Sequence, residues 1–269
     1  MTAIRHLPEA PTGRRPLAPG AGIDAHRHDT HQIVYACRGV LSVTTGAGTW
    51  VAPANRAIWI PAGTVHEHRA HGDTDLRLVG LADNPLGLGH PTVLVVGPLL
   101  RELIIAYTAG TRPAPEHHAH HGHAGDSSAP EAGPLRGDGG ERERLWAVLV
   151  DQLKRAPEQR LHLPTARDPR LVAVCAILHR DPADSRTLAQ LAVQAGTSDR
   201  TLARLCRREL GMSFPQWRTQ LRLHHALLLL ADGVAVTTVA HRCGWASASA
   251  FIDVFRRAFG YTPGRAFTL

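Results

Sequence analysis

The chain has 269 residues, of which 43% are hydrophobic and 20% are charged, so it can bury a core in each of two domains. It lacks the apolar run of roughly 18 residues that a transmembrane helix needs, and its N-terminal stretch has no signal-peptide centre. We therefore expect a cytoplasmic protein that does not enter a membrane. Its four cysteines form no C-x-x-C pair and lie within apolar patterns, which favours buried free thiols.

The charge is distributed unevenly along the chain. Before Arg167, 16 Lys and Arg balance 16 Asp and Glu, whereas 14 against 7 follow, so the formal charge of +7 lies in the C-terminal part. Histidine shows the opposite bias, with 14 of 18 before Arg167. The neutral, histidine-rich N-terminal part indicates sensing. The basic C-terminal part indicates either a polyanionic partner or a generic basic surface.

Residues 1–96 are predicted to form a domain of β-strands. The run HQIVYACRGVLSVTTGAGTWV alternates short β-rich stretches with glycine turns, and AIWIPAG, LRLVGLA and TVLVVG continue the rhythm. This pattern favours a small β-barrel or sandwich over a helical domain.

Two motifs of this domain resemble those of the cupin family: His26-x-His28-x3-Gln32-x6-Gly39 and Pro61-x-Gly63-x2-His66. Alternate positions on a strand face the same side, so His26 and His28 can converge, and the following turn can return His66 to them. The resemblance implies an inward-facing ligand set. Gln32 stands where metal-binding cupins carry Glu, and a neutral amide is a weaker ligand for a divalent ion.

Three interpretations of this set stay open. His26, His28 and His66 bind a divalent metal (Zn, Ni or Fe) through neutral imidazoles. Alternatively, together with Gln32, they line a pocket for a small molecule without metal, or they only form hydrogen bonds within the barrel. Three neighbouring histidines could substitute for a member of the set: His31, His68 and His71.

Residues 97–166 are predicted to hold two amphipathic helices, GPLLRELIIAYTAG and ERERLWAVLVDQLKRA. Their apolar stripes either form a homodimer seam or cover the barrel's own face. Between them, residues 112–140 are rich in Pro, Gly, Ser and His and are predicted to form a mobile loop. Its histidines either bind a metal ion or belong to a low-complexity insert: His117, His118, His120, His121 and His123. A linker, HLPTARDP, follows.

Residues 167–269 carry one pattern twice: a short apolar helix with Ala, three residues, Gly, a polar turn and a second helix. The copies are LAQLAVQAGTSDRTLARLCRREL and VTTVAHRCGWASASAFIDVFRRAF. Each predicts a helix-turn-helix, and the long helix FPQWRTQLRLHHALLLLADG between them can space two recognition helices by about one DNA turn, ~34 Å. Three serines are predicted helix N-caps: Ser185, Ser198 and Ser247.

The second helix of each unit is predicted to read DNA. The residues assigned to this role are Ser198, Arg200, Thr201, Arg204, Arg207 and Arg208 in the first unit and Ser247, Ala248, Ser249, Arg256 and Arg257 in the second. Arg200 and Arg204 suit base edges, whereas Arg207 suits phosphates. Asp253 on the second face would be repelled by phosphate, although it could accept from a cytosine amino group. Because Arg200 and Arg204 lie on the first unit, we expect that unit to supply most of the specificity.

The segments GMSFPQWRTQLRLHHALLLL and VAHRCGWASASAFIDVFRRAFGYTPGRAF together resemble the DNA-binding domain of the AraC/XylS family. The resemblance implies an α+β chain: a cupin-like β-barrel, a helical dimerisation or linker segment, and an all-α domain with two helix-turn-helix motifs. It also implies a sequence-specific regulator, not an enzyme, that binds double-stranded promoter DNA and responds to a small molecule or metal. RNA polymerase is a partner if the regulator activates.

The spacing from His26 to Gly39, with AIWIPAGTVH, is similar to a subgroup of efflux-gene regulators, so an efflux, transport or metabolic gene is the expected target. Two rival hypotheses remain. The first is a cupin-type metal-dependent enzyme with an accessory helical domain. The presence of Gln32 in place of the fourth ligand argues against it. The second is a metal-storage protein that uses the histidine loop, which leaves the doubled helical motif unexplained.

Overall fold

A computed structural model describes residues 4–110, 139–159 and 161–265 of the chain. The predicted loop at 112–140 and its five histidines fall almost wholly in residues 111–138, outside the described residues. The helix after this gap begins at Gly139, so the last two residues assigned to the loop are helical instead.

The N-terminal half forms a single sheet. In the described residues its strands are β1 (Arg5–Leu7), β2 (Gly13–Leu17), β3 (Gly22–His28), β4 (His31–Thr45), β5 (Gly48–Pro53), β6 (Arg56–Ile60), β7 (His66–Leu81), β8 (Thr92–Val95), β9 (Glu158–Gln159) and β10 (His162–Pro164). β1 and β3 pair in parallel, and the other pairs are antiparallel. The predicted linker therefore contributes β10, which pairs with β5.

The long strands β4 and β7 form the backbone of this domain. They pair from His31 opposite Leu81 to Thr45 opposite His66. The first half of β4 pairs with β6 and the second half with β5, while β7 pairs with β3 and then β2. Because each half has different neighbours, the sheet folds over on itself and encloses a core, as the prediction of a β-rich barrel requires.

Both faces of β4 are buried. Val34 and Ala36 point into the barrel core, whereas Ile33 and Tyr35 point to the opposite face, as the two-residue period of a strand dictates. The second face is covered by α1 (Pro98–Thr108) and α2 (Gly139–Arg155). The apolar stripes of these helices thus cover the barrel's own face, which was the second of the two alternatives.

The C-terminal half is helical. Its elements are α3 (Pro169–Arg180), α4 (Leu188–Gln194), α5 (Asp199–Leu205), a π-helical turn (Cys206–Leu210), α6 (Phe214–Ala231), α7 (Val236–Arg242), α8 (Ala248–Phe259) and a 3-10 turn (Pro263–Arg265). All four cysteines are buried free thiols, as predicted. None of the helices in the described ranges is long and apolar enough to cross a membrane.

Helix capping confirms two of the three predicted N-caps. The Ser198 hydroxyl accepts from the Thr201 amide at 3.2 Å, and the Ser247 hydroxyl accepts from the Ala250 amide at 3.1 Å. The assignment of Ser185 is wrong, because α4 starts two residues later and Thr187 caps it. The Gln190 side chain accepts in return from the Thr187 amide, which completes a capping box.

The two halves share one apolar cluster. Leu223, Leu227 and Leu230 of α6 pack in the same cluster as Val40 and Val51 of the barrel. The long helix between the two helix-turn-helix units therefore also covers part of the barrel.

We expect Gly39→Ala to lower the free energy of unfolding by about 2–4 kcal/mol. Gly39 has a φ of +81°, and a Cβ there would lie 2.5 Å from Thr74 Oγ1 and 2.7 Å from the Asp73 carbonyl. Gly46→Ala is the matched control, because its Cβ would meet nothing within 4 Å. Urea unfolding followed by tryptophan fluorescence tests this, and equal effects of the two substitutions would contradict it.

Candidate nucleic-acid interface and sensor site

Four histidines meet inside the barrel. His26 on β3 lies opposite His66 on β7, and each is the first member of a His-x-His pair, His26–His28 and His66–His68. The ring centroids of His26 and His66 are 4.3 Å apart, those of His28 and His66 are 4.9 Å apart, and those of His66 and His68 are 5.0 Å apart. All four side chains are at most 2% exposed.

Backbone carbonyls orient three of these rings. Nδ1 of His26 donates to Asp24 O at 2.8 Å, Nδ1 of His28 to Thr30 O at 2.6 Å, and Nδ1 of His66 to Thr64 O at 2.8 Å; in each case the acceptor is two residues away. A carbonyl oxygen can only accept, so the ring proton is on Nδ1 and Nε2 keeps its lone pair. This arrangement is typical of histidines that bind a metal through Nε2.

His28 and Gln32 face each other with unfavourable polarity. His28 Nε2 lies 3.3 Å from Gln32 Oε1. In this amide orientation both atoms are acceptors once Nδ1 carries the proton, and a cation between them, an extra proton on His28 or a flipped Gln32 amide would satisfy both. Burial lowers the pKa of His28, which disfavours the extra proton. The Gln32 amide nitrogen donates to Pro11 O at 3.4 Å.

Two of the histidines leave buried nitrogens without a partner. Nε2 of His66 and both ring nitrogens of His68 have no hydrogen bond in the described part of the chain. Burial, together with the neighbouring His26, lowers the pKa of His66 to about 3, and the pKa of His68 is also well below its usual value. These rings are therefore neutral at pH 7, the form that coordinates a metal. One ligand atom each from His26, His66 and His68 lies within 4.8 Å of the others.

The structure changes the membership of the predicted set. His68, predicted only as a substitute, belongs to the cluster. Its alternate position after His66 is the sequence signal for this. His31 lies outside the cluster, because it stacks on Trp59 and accepts from the Ala62 amide. His71 also lies outside, bonded to the Ser42 hydroxyl at 3.0 Å.

The first predicted reading helix presents its arginines to solvent. Arg200 and Arg204 on α5 are exposed, while Leu202 and Leu205 are buried beneath them. Thr201 is half-buried. The α geometry ends at Leu205, and the chain passes into the π-helical turn, where Arg207 and Arg208 are exposed. Arg208 pairs with Glu209 at 2.8 Å.

The second predicted reading helix is less polar on its outer face. Ser247, Ser249 and Asp253 are exposed, as are Arg256 and Arg257. Asp253 forms an ion pair with Arg256 at 3.7 Å, so the positive charge of Arg256 is partly balanced within the protein. Ala248 is half-buried and packs against the core of this unit, so it is less accessible than a reading residue should be. The DNA contacts of both helices stay predictions.

Arg222 of α6 holds the two units together. Its Nε donates to Pro182 O at 3.0 Å and its Nη2 to Asp184 O at 3.4 Å, in the loop before the first unit. The turn of the second unit lies against the same place: Gly244 has a φ of +74°, and a Cβ there would lie 2.7 Å from both Ala183 Cα and Arg222 Nη2. The 18 residues of α6, a rod of roughly 27 Å, therefore connect the two units, and Arg222 also joins the turn of the second unit to the loop before the first.

Comparison with known proteins agrees with both halves. The helix-turn-helix domain family matches residues 191–268, and the cupin domain family matches residues 14–81. The chain is 33% identical over 243 residues to the HTH-type transcriptional regulator NimR of Escherichia coli K12. The match covers 89% of this chain and 80% of that protein. The chain belongs to the AraC family of transcriptional regulators.

Shorter matches accompany this one. The AraC-family chain is 39% identical over 101 residues to the HTH-type transcriptional regulator RipA of Corynebacterium glutamicum, 38% of this chain and 30% of that protein. A solved DNA-binding transcriptional dual regulator from Escherichia coli K-12 is 32% identical, with a TM-score of 0.34, over 38% of this chain and 98% of that chain. The family assignment depends on the relative that spans most of both chains.

This AraC-family regulator thus combines a cupin-like ligand-binding domain with a DNA-binding domain. The predicted fold class, the doubled helix-turn-helix and the binding of double-stranded DNA are confirmed. Its relatives are named as transcriptional regulators, which supports a regulatory function over the rival enzyme.

We expect Arg204→Ala to weaken binding to the preferred DNA sequence by about 1–3 kcal/mol and to relax base choice at one position. Arg207→Ala should weaken all sequences alike and reduce the salt slope by about one, because it removes a phosphate contact. The measurement is selection from a random duplex pool, followed by titration of the selected duplex and a scrambled one at several salt concentrations.

Arg180→Ala, at the exposed end of α3, serves as the control for loss of one positive charge. If Arg204→Ala weakened the selected and scrambled duplexes equally, Arg204 would be a phosphate contact and its assignment to a base edge would be wrong.

Proposed function

We propose that this AraC-family regulator is controlled by a divalent transition metal bound by the buried histidines of its barrel. The observation that carries the proposal is the set of four converging imidazoles, three of which are oriented by backbone carbonyls that hold the ring proton on Nδ1. Because imidazole is a borderline ligand, the suitable ions are Zn²⁺, Ni²⁺ or Fe²⁺.

The energetics of the cluster support a cation. Each buried nitrogen without a hydrogen bond is destabilising by about 1–3 kcal/mol, and His66 and His68 together leave three such atoms. A bound ion would satisfy the Nε2 atoms and would relieve the contact between His28 Nε2 and Gln32 Oε1. In this arrangement Gln32 is a neutral ligand or an orienting group, so its substitution for Glu does not remove the site.

The metal would act by changing the population of two arrangements of the DNA-binding units. Such a switch requires that the ion bind one arrangement more tightly than the other. We propose that the units act on a promoter, with RNA polymerase as partner if the regulator activates. An efflux, transport or metabolic gene remains the proposed target.

A homodimer is a further part of the proposal. Although α1 and α2 bury one side against the barrel, Leu99 is 55% exposed and Val148 is 44% exposed on their outer sides. These residues would supply the apolar contacts of a seam between two copies of the chain.

A cleft between the halves supports a second candidate effector, a small polar molecule. The cleft has a volume of about 840 Å³ and is lined by the stacked pair Trp50–His162 and by Gln159, Gln216 and Gln220. Its size lies within the roughly 300–1,000 Å³ of ligand pockets, which occur preferentially at domain interfaces.

We expect the purified chain, after dialysis against a chelator, to bind about one Zn²⁺ or Ni²⁺ per chain. The double variant His26→Ala/His66→Ala should lose this binding, because it removes two oriented ligands. His68→Ala should weaken the binding without abolishing it. Metal content by mass spectrometry and titration calorimetry measure these outcomes.

Two controls separate the cluster from other histidines. His90→Ala removes an exposed histidine and should have no effect. Replacing the five histidines at 117–123 by Ser should leave the tight site intact. If the double variant kept its metal and the loop variant lost it, the proposed site would be wrong; if neither bound metal, the effector would be sought in the cleft.

A further inference from the structure

Arg56, the first residue of β6, is a buried cation between the barrel and the second reading unit. It is 4% exposed. In the described part of the chain its hydrogen bonds go to uncharged oxygens: Gln159 Oε1, the Asn55 carbonyl at 2.9 Å and the Phe259 carbonyl at 3.2 Å. Burial of a cation without a carboxylate carries a large desolvation penalty, so the surrounding acceptors must hold it firmly.

The Phe259 carbonyl belongs to the last residue of α8. The last carbonyls of a helix lack partners within the helix and carry partial negative charge, so a cation at this end is favourable. Asn55 Nδ2 also donates to Phe259 O, at 3.1 Å, and Gln159 Nε2 donates to Ala258 O. Three side chains of the sensor half thus cap α8 from outside its own domain.

We infer that Arg56 is a positioning residue that fixes the second reading helix against the sensor barrel. The contact holds α8 by its C-terminal end and leaves Ser249, Asp253 and Arg257 exposed for DNA. The barrel therefore sets the orientation of this helix without covering its predicted reading face. Nothing in this step requires a metal.

β6 joins this contact to the histidine cluster. The strand runs from Arg56 to Ile60, about 16 Å at the usual rise, and all five of its residues are buried. Ile60 lies opposite Gln32, and in the turn that follows, the Gly63 amide donates to His28 O at 2.8 Å. A shift of this turn would move a strand held in a close-packed core, and with it the cap on α8. This second step rests on the proposed metal site.

Hydrogen exchange of the full chain tests the first step. We expect Arg56→Ala to speed amide exchange in residues 251–261 roughly tenfold, while residues 199–210 stay unchanged. Arg56→Lys keeps the charge but loses the fork of donors. Its exchange rate in residues 251–261 should therefore lie between those of Arg56→Ala and the unsubstituted chain. Arg38→Ala, at an exposed arginine of the barrel, is the matched control. Unchanged exchange at 251–261 would overturn the inference.

A substitution at a buried position can also unfold the barrel, and residues 31–45 report this by faster exchange. In that event Gln159→Ala takes the place of Arg56→Ala, because Gln159 lies on the two-residue edge strand β9 and bonds both Arg56 and Ala258. The same acceleration confined to 251–261 is expected, and its absence would again overturn the inference.

DNA selection supplies a readout that general destabilisation would not move. From a random duplex pool, the variant that keeps a folded barrel should retain base preference in the half-site of the first unit. It should lose base preference in the half-site of the second unit, because α8 is no longer held at a fixed angle to the DNA. Equal loss in both half-sites would mean that the residue is only structural.

Zn²⁺ tests the second step separately. Addition of Zn²⁺ to the unsubstituted chain should change exchange at 251–261, and Arg56→Ala should abolish that change while still binding one ion. If Zn²⁺ does not bind, the proposed effector fails and the positioning role of Arg56 stands on the first two measurements. If Zn²⁺ binds and exchange at 251–261 does not respond, the route through β6 is wrong.

Discussion

The long strands β4 and β7 have two apolar faces, and each face must be covered. One face closes on itself to form the barrel core around Val34 and Ala36. The other needs partners from elsewhere in the chain, and α1 and α2 supply them over Ile33 and Tyr35. Val40, further along β4, and Val51 on β5 are covered by α6 of the DNA-binding half. The same requirement for burial thus builds the sensor and attaches the DNA-binding domain to it.

Polar groups give this apolar packing its specificity. Inside the barrel, carbonyls two residues away hold the rings of His26, His28 and His66 in one tautomer. At its edge, Arg56 caps α8, and in the DNA-binding half Arg222 holds the loop between α3 and α4 close to the turn of the second unit. Each of these side chains donates a hydrogen bond to backbone carbonyls. The histidine cluster and the second predicted reading helix consequently belong to one connected structure.

Local patterns predicted much of this molecule because local physics decides it. The caps Ser198 and Ser247 follow from a hydroxyl reaching an amide three residues on. His26 and His28 converge because alternate residues on a strand share a face. Where two local solutions competed, the prediction was wrong: Ser185 and Thr187 are both good caps, and Gln190 selected Thr187 by completing the capping box. His68 was predicted only as a substitute, although its alternate position after His66 places it on the same face of the strand by the same rule.

The sequence by itself determined the two-domain order, the doubled helix-turn-helix and the family, because repeated spacing of Ala, Gly and apolar residues leaves few alternative folds. It also supplied the residues whose chemistry suits a metal or a phosphate. Only the tertiary structure decided which of them meet. His68 joins the cluster, His31 and His71 leave it, and Arg56 reaches a carbonyl 203 positions away. Such contacts depend on how buried surfaces pair across the whole chain, and no local spacing encodes that pairing.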